Sequence, residues 1–593
     1  MSDHASRLAS LRSAMRRAGC DALFVPRADE YLGEYIPANK ERLRWLTGFT
    51  GSAGMAIIGQ SHAAMFVDGR YTVQVRAQVD AEYYAYCELT DAAQLEWLTA
   101  HTQTPATLGY DPRLHSERWR RRTEAALQGG GLSLTPTQEN LLDLCWEDRP
   151  DAAIETVLLQ PEALSGESSR DKRHRIARDI TERGYDASLL YAPDTVSWLL
   201  NLRGTAMPQM PVVSGFALLK STAEVILFSD PTHVPEGFAD HVGSGVRLVA
   251  QSDASEAFAE VSGLSVLVDD TLASAWVVQS LRNAGANPTT GDDPVMLPKA
   301  RKNATELQGA RAAHRRDAVA EIGFLTWLDE EVSAGRLHDE AVLADKQLSL
   351  RVRQAHFHAS SFDTISAAGP NAAMCHYNHL NGRAAGLPMN SIYLNDSGGH
   401  YRDGTTDITR CVAIGDPGPE IRRLFTLVLK GHMALARARF PVGTTGSQLD
   451  VLARQFLWQE GLDYAHGTGH GVGAFLSVHE GPQRISKLPN SIALQEGMIV
   501  SDEPGYYRDG AFGMRCENLL AVSALEGGES SMLGFEVLTL VPFDRRLIDA
   551  TLLDAHELDW LNAYHERVLN EVGPLLEAGE QSWLQAAVRP IDA

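Results

Sequence analysis

Two stretches of this chain read as β-ribbons with one acidic side chain per strand. Four carboxylates placed in that way limit what the chain can fold into. The first is SIYLNDSGGHYRDGTTDITRCVAIG, residues 391–415. SIYLND alternates apolar and polar residues, Asp403-Gly404 is a turn signal, and TDITRCVAIG resumes as a strand. Asp396 is expected to close the first strand and Asp407 to open the second. The second stretch is GMIVSDEPGYYRDGAFGMRCENLLAV, residues 497–522. Here Glu503 is expected to end the strand MIVSDE and Glu517 to lie in the return strand MRCENLLAV, with Arg515 on the same face two residues earlier. Paired strands run about 5 Å apart, so such side chains can converge. Like charges at that spacing do not all stay ionised; one takes a proton or a cation sits between them. A lone turn aspartate is ordinarily solvated, but four carboxylates paired by the same ribbon logic point to a site.

A histidine-rich segment supplies the missing ligand type. HGTGHGVG, residues 466–473, holds His466 and His470, and His479 follows in SVHEGP. Glycines cost a helix about 1 kcal/mol each, so the segment is expected to be a tight loop or strand edge whose backbone approaches a ligand closely. Four carboxylates and an imidazole make a mostly oxygen site, suited to manganese or magnesium, with the nitrogen pulling toward transition metals. Carboxylates able to bridge suit two ions about 3.5–4 Å apart. Other templates fail: the chain has no H-E-x-x-H, no G-x-S-x-G elbow and no P-loop lysine.

The bulk properties set the frame. At 593 residues the chain is too long for one core, and about 100–200 residues per domain suggests three. Lysine plus arginine number 53 against 76 acidic residues, a formal charge of −23, which argues against nucleic acid as the partner. Six scattered cysteines without a C-x-x-C pair make no disulfide framework. With no signal-peptide pattern at the start and no apolar run of membrane-spanning length, a cytoplasmic protein is expected.

The N-terminal half repeats a grammar of helix, glycine, strand and proline turn. SRLASLRSAMRRAGCDALFV and RHRIARDITERGYDASLLYAP follow it alike, which predicts two related α/β domains, 1–157 and 158–300. A third unit, 301–593, opens with Asn303 and Glu306 as a capping box. Pro419 suits the first turn of a later helix and Ser447 is the expected cap of SQLDVLARQFLWQE, which Gly461 ends. The tail from about Phe535 reads as helical. His432, within LVLKGHMALA, reads as a packed structural residue.

In order along the chain, LNDSGG, GTTDITR, HGTGHGVG, SVHEGP, SDEPGYY and GMRCEN resemble the motifs of the pita-bread metallopeptidases. With HAAMFVDGRY and GPNAAMCHY, nearly the whole chain is similar to the aminopeptidase P group in its long, three-domain cytosolic form. The resemblance implies an α/β (α+β) architecture, with two creatinase-like domains followed by a pita-bread catalytic domain. It implies a dinuclear site, usually of Mn2+, with Asp396, Asp407, His470, Glu503 and Glu517 as ligands, Asp407 and Glu517 bridging. It makes His376, His466 and His479 metal-free active-site histidines. It has Arg70 reach the substrate from the first domain, and Arg515 orient nearby carboxylates.

The implied reaction is release of the N-terminal residue from peptides with proline second, by a dimetal-activated hydroxide. Glu503 would shuttle the proton and His479 would face the oxyanion. The partners implied are Xaa-Pro peptides and a second copy of the chain, with no nucleic acid and no membrane. Prolidase, which takes only Xaa-Pro dipeptides, is the nearest alternative. A pita-bread module that binds peptides without cutting is another, against which the full ligand set argues. Creatinase lacks metal ligands, and methionine aminopeptidase lacks the two N-terminal domains.

Overall fold

The computed structural model describes residues 3–230, 232, 234–527 and 531–592. The chain divides into two compact units, one of residues 1–160 and 167–296 and the other of 161–166 and 297–593.

The first unit contains two six-stranded sheets built on one plan. In the first sheet the strands lie in the order Ala85–Glu88, Ala63–Val67, Met55–Gly59, Ala22–Pro26, Ala106–Tyr110 and Leu132–Pro136. In the second the order is Val246–Val249, Val225–Phe228, Phe216–Lys220, Ala187–Leu190, Ser265–Val268 and Asn287–Thr290. The pairings of Ala22–Pro26, Met55–Gly59 and Ala63–Val67 are antiparallel and the outer ones parallel. The second sheet repeats that pattern strand for strand. The shared sequence grammar therefore reports a shared topology. In both copies the opening helix, Asp3–Ala18 or Ser169–Glu182, runs into a left-handed glycine, Gly19 at φ 69° or Gly184 at φ 84°, before the strand. Glycine adopts that φ without a Cβ penalty, which lets the chain turn back onto the sheet.

The second unit opens with the 30-residue helix Ala304–Ser333. Its start is the expected capping box, with Asn303 accepting from Glu306 N and the Glu306 carboxylate accepting from Asn303 N. Helix Gly418–Ala436 has proline in its first turn. Helix Gly446–Trp458 is capped by Thr445 and Gln448, not by Ser447. The capping box needs a hydroxyl three residues ahead of a Glu or Gln, and Thr445 fits that spacing. The expected helical tail begins later than Phe535, which lies in the strand Met532–Val537 paired with Asn518–Leu525. Helices Ala555–Val572 and Ala578–Ala587 then follow.

The carboxylate-bearing ribbons belong to two different sheets. Ser391–Ser397 and Ile408–Ile414 pair antiparallel beside Ile365–Ala368. Ile499–Asp502 and Asn518–Leu525 pair inside a six-stranded sheet that also holds Gly469–Gly471 and Glu480–Ile485. Arg410 joins the two. Its guanidinium donates to the carbonyls of Glu517, Val541 and Pro542, to Asn518 Oδ1 and to the Tyr564 hydroxyl. A fully engaged buried guanidinium of this kind is costly to disturb, because any lost acceptor leaves a desolvated donor.

The C-terminal segment is held in part by a neutral histidine. The Phe543 N–H donates to His565 Nε2 at 3.2 Å. Burial, with Arg410 and Arg545 nearby, lowers the His565 pKa to about 3. The unfolded chain, with His near 6.5, binds a proton between those values while the native one does not, so stability is complete above pH 6.5 and falls as pH drops. This residue alone should remove about 2 kcal/mol between pH 7 and pH 5. In His565→Gln, which keeps an acceptor, calorimetric melting should lose that much of its acid sensitivity.

Candidate metal centre

The ribbon carboxylates sit where the strands stop. Asp396 is the penultimate residue of Ser391–Ser397, opposite Thr409, and Asp407 immediately precedes Ile408–Ile414. Glu503 follows Ile499–Asp502 and Glu517 precedes Asn518–Leu525. Both glutamates thus lie one residue outside the strands expected to contain them. Arg515 ends a separate two-stranded ribbon, Gly505–Arg508 with Phe512–Arg515, so it shares no strand with Glu517. The physical reason is the inserted ribbon, which breaks the ladder and releases the end residues to converge.

All four carboxylates are largely removed from water, and one imidazole faces them. His470 Nε2 lies 3.4 Å from Asp407 Oδ2 and 3.6 Å from Glu503 Oε1. Its Nδ1 is 2.9 Å from the Gly471 carbonyl, which places the proton on Nδ1 and leaves Nε2 to face the acids. Asp407, His470 and Glu517 each offer a ligand atom within 4.8 Å of the others.

The electrostatics show a site short of positive charge. Burial, with Asp407 and Glu503 adding, raises the Asp396 pKa to about 7 against the pull of Arg515. Burial and the neighbouring acids push Glu503 up and Glu517 far up. Burial disfavours the His470 cation, but Asp407 and Glu503 more than offset it and raise the pKa to about 9. Asp396 Oδ1 is buried without a hydrogen-bond partner among the described residues. An orphaned oxygen, crowded acids and a nitrogen aimed at them fit a divalent cation by donor type and by charge.

Arg515 holds the acids in place. Its Nη2 pairs with Asp396, Nε donates to Thr409 Oγ1 at 2.9 Å, and Nη1 donates to the Tyr507 hydroxyl at 2.6 Å. Thr409 Oγ1 in turn donates to Glu517 Oε2 at 2.7 Å. Thr409 was not singled out in the sequence. The available signal was its position two residues after Asp407, which puts both on one side of a strand.

The remaining candidate residues divide. The His479 ring lies 4.4 Å from that of His470, edge to face. His466 is tied through Nε2 to Tyr507 Oη at 2.8 Å, on the Arg515 side of the site. His376 is half-buried in a loop whose preceding residue, Cys375, offers its carbonyl to Arg515 at 3.5 Å. Arg70 lies in the first unit, forked onto Asp68. The glycines of HGTGHGVG serve the sheet more than a ligand. A Cβ at Gly469 would come 2.0 Å from the Ser501 carbonyl, and one at Gly471 2.3 Å from that of Glu480.

Comparison with known proteins agrees with this geometry. Residues 308–524 match the model of metallopeptidase family M24, and 531–591 match the C-terminal region of that family. Residues 7–144 and 148–306 each match a creatinase/prolidase N-terminal domain. A probable Xaa-Pro aminopeptidase P of Botryotinia fuckeliana is 38% identical over 99% of this chain and 92% of its own length. Aminopeptidase P1 of Lotus japonicus is 36% identical over 98% and 99%. The crystal structure of the X-prolyl aminopeptidase of Caenorhabditis elegans, described as a cytosolic enzyme with a di-nuclear active site, superposes with a TM-score of 0.95 at 33% identity, covering all of both chains. The Xaa-Pro dipeptidase of Bacillus anthracis shares the fold over 64% of this chain at 23% identity. The chain belongs to the Xaa-Pro aminopeptidase P family, within the M24 metallopeptidases.

Thr409→Val should leave Arg515 Nε and Glu517 Oε2 without their shared hydroxyl. Mn2+ affinity of the chelator-stripped protein, measured by calorimetry, should fall about 10-fold or more, and Thr409→Ser should restore it.

Proposed function

We propose that the chain is a metalloaminopeptidase that removes the N-terminal residue from peptides with proline second. In this reading two divalent ions, manganese in the cell, are held by Asp396, Asp407, His470, Glu503 and Glu517. The observation that carries it is the convergence of largely buried carboxylates from two sheets around Nε2 of His470. Asp407 and Glu517 would be shared between the ions, Asp396 would help hold one, and His470 with Glu503 the other. When bound, such ions acidify water and polarise the scissile carbonyl.

The chain's own groups do the rest. Arg515 fixes Asp396 directly and Glu517 through Thr409. The Glu503 carboxylate takes the proton given up by the attacking water and passes it to the leaving proline nitrogen. His479 donates to the oxyanion as the carbonyl carbon becomes tetrahedral. His376 and Arg70 bind the peptide. His466 holds Tyr507 and, through it, the Arg515 guanidinium. A prolyl nitrogen carries no N–H and its ring fixes φ, so a shaped pocket rather than strand pairing selects it. The names of the relatives support this substrate class.

The division 1–157, 158–300 and 301–593, the homodimer and a cytoplasmic location belong to the same proposal. Six free cysteines and the cytosolic nature of the C. elegans relative support the location. An acidic net charge supports a peptide rather than nucleic acid as partner.

An Arg-Pro-Pro peptide of several residues should lose its N-terminal arginine in the presence of Mn2+. Chelator should abolish the release, and added Mn2+ should restore it. Cleavage of Xaa-Pro dipeptides alone would favour a prolidase, and chelator-insensitive release would contradict the metal site.

A further inference from the structure

His432 lies about one turn before the end of helix Gly418–Ala436, fully buried, and the proposed reaction does not use it. Its Nδ1 is 3.1 Å from the Asp502 carbonyl oxygen and 3.1 Å from Asp502 Oδ2. Its Nε2 is 3.1 Å from Asn518 Nδ2. Asn518 Oδ1 accepts from Arg410 at 2.7 Å, so the Asn518 amide nitrogen faces the histidine and donates to Nε2. The proton of His432 is then on Nδ1, directed at Asp502. The ring is held edge-on by Phe543 and Trp560, with centroids 5.3 and 6.3 Å away.

The two partners are not arbitrary residues. Asp502 and Asn518 are opposite each other in the ladder of Ile499–Asp502 with Asn518–Leu525. Asp502 immediately precedes Glu503, and Asn518 immediately follows Glu517. The imidazole therefore ties together the two strand ends beside which the glutamates stand. A methionine or leucine would fill the same volume, but an imidazole donates with one nitrogen and accepts with the other, so it fixes both strands at once.

We propose that His432 is a positioning residue that sets the spacing of Glu503 and Glu517, and through it the affinity and activity of the metal centre. The proposal rests on those glutamates being ligands. Mn2+ uptake by the unaltered protein tests that reading, and the ratio between variant and unaltered protein tests this one.

The test uses the full chain, stripped by chelator. His432→Met removes both links at similar volume. His432→Gln keeps an amide that can donate and accept. Mn2+ affinity by calorimetry should weaken 10–100-fold in His432→Met. Its kcat should fall while KM for the peptide stays within about twofold, and His432→Gln should recover most of both. Should His432→Met fail to fold, His432→Asn, which reaches Asp502 but not Asn518, is judged by the same affinity. Unchanged Mn2+ affinity, with only a lower melting temperature of the metal-free protein, would overturn the proposal and leave His432 a packing residue.

Discussion

The mutual repulsion of buried carboxylates is the constraint on which the rest of this structure depends. Asp396, Asp407, Glu503 and Glu517 are drawn from two sheets to one place from which water is largely excluded. Left alone they would hold protons or push apart. The surrounding structure can be read as the means of keeping them together. Arg515 supplies one fixed positive charge, Thr409 passes a hydrogen bond onward, and Arg410 locks the strand that follows Asp407 to the backbone of Glu517. None of these contacts neutralises the site. That is the physical case for divalent ions, and membership of a metallopeptidase family agrees with it.

The glycines and the inserted ribbons serve the same end. At Gly469 and Gly471 neighbouring carbonyls come so close that only a missing side chain permits the sheet. That closeness puts His470 on a short strand three residues long, its ring against Asp407 and Glu503. Each ribbon leaves its ladder one or two residues from a carboxylate, so the acids project from strand ends rather than from flat sheet. A second buried ionic group adjoins His479 in the chain. The Glu480 carboxylate there is paired with Lys299 and Lys302, all within the second unit.

Much of this is legible in the sequence. Helix-to-glycine turns at Gly19 and Gly184 announced the duplicated N-terminal plan, because a left-handed glycine followed by an apolar run has few other uses. The capping box at Asn303 was readable because both of its bonds are local. The carboxylate pairs were readable because alternation and turn chemistry are local too. The differences come from a finer local competition in one case and from tertiary pairing in the others. Ser447 lost the cap to Thr445 because the competing box was two residues away. Phe535 went to a strand because its partner, Asn518–Leu525, is set by tertiary pairing. Thr409, Arg410 and His432 matter through partners about 70 to 150 residues away. No window of sequence shows such contacts.

Metal analysis of the purified protein after Mn2+ loading tests the central claim most directly. The account predicts two ions per chain in the unaltered protein, and fewer than two when Asp407 and Glu517 are replaced together by Asn and Gln in a chain that still folds. Two ions retained by that double variant, or none bound by the unaltered chain, would contradict it.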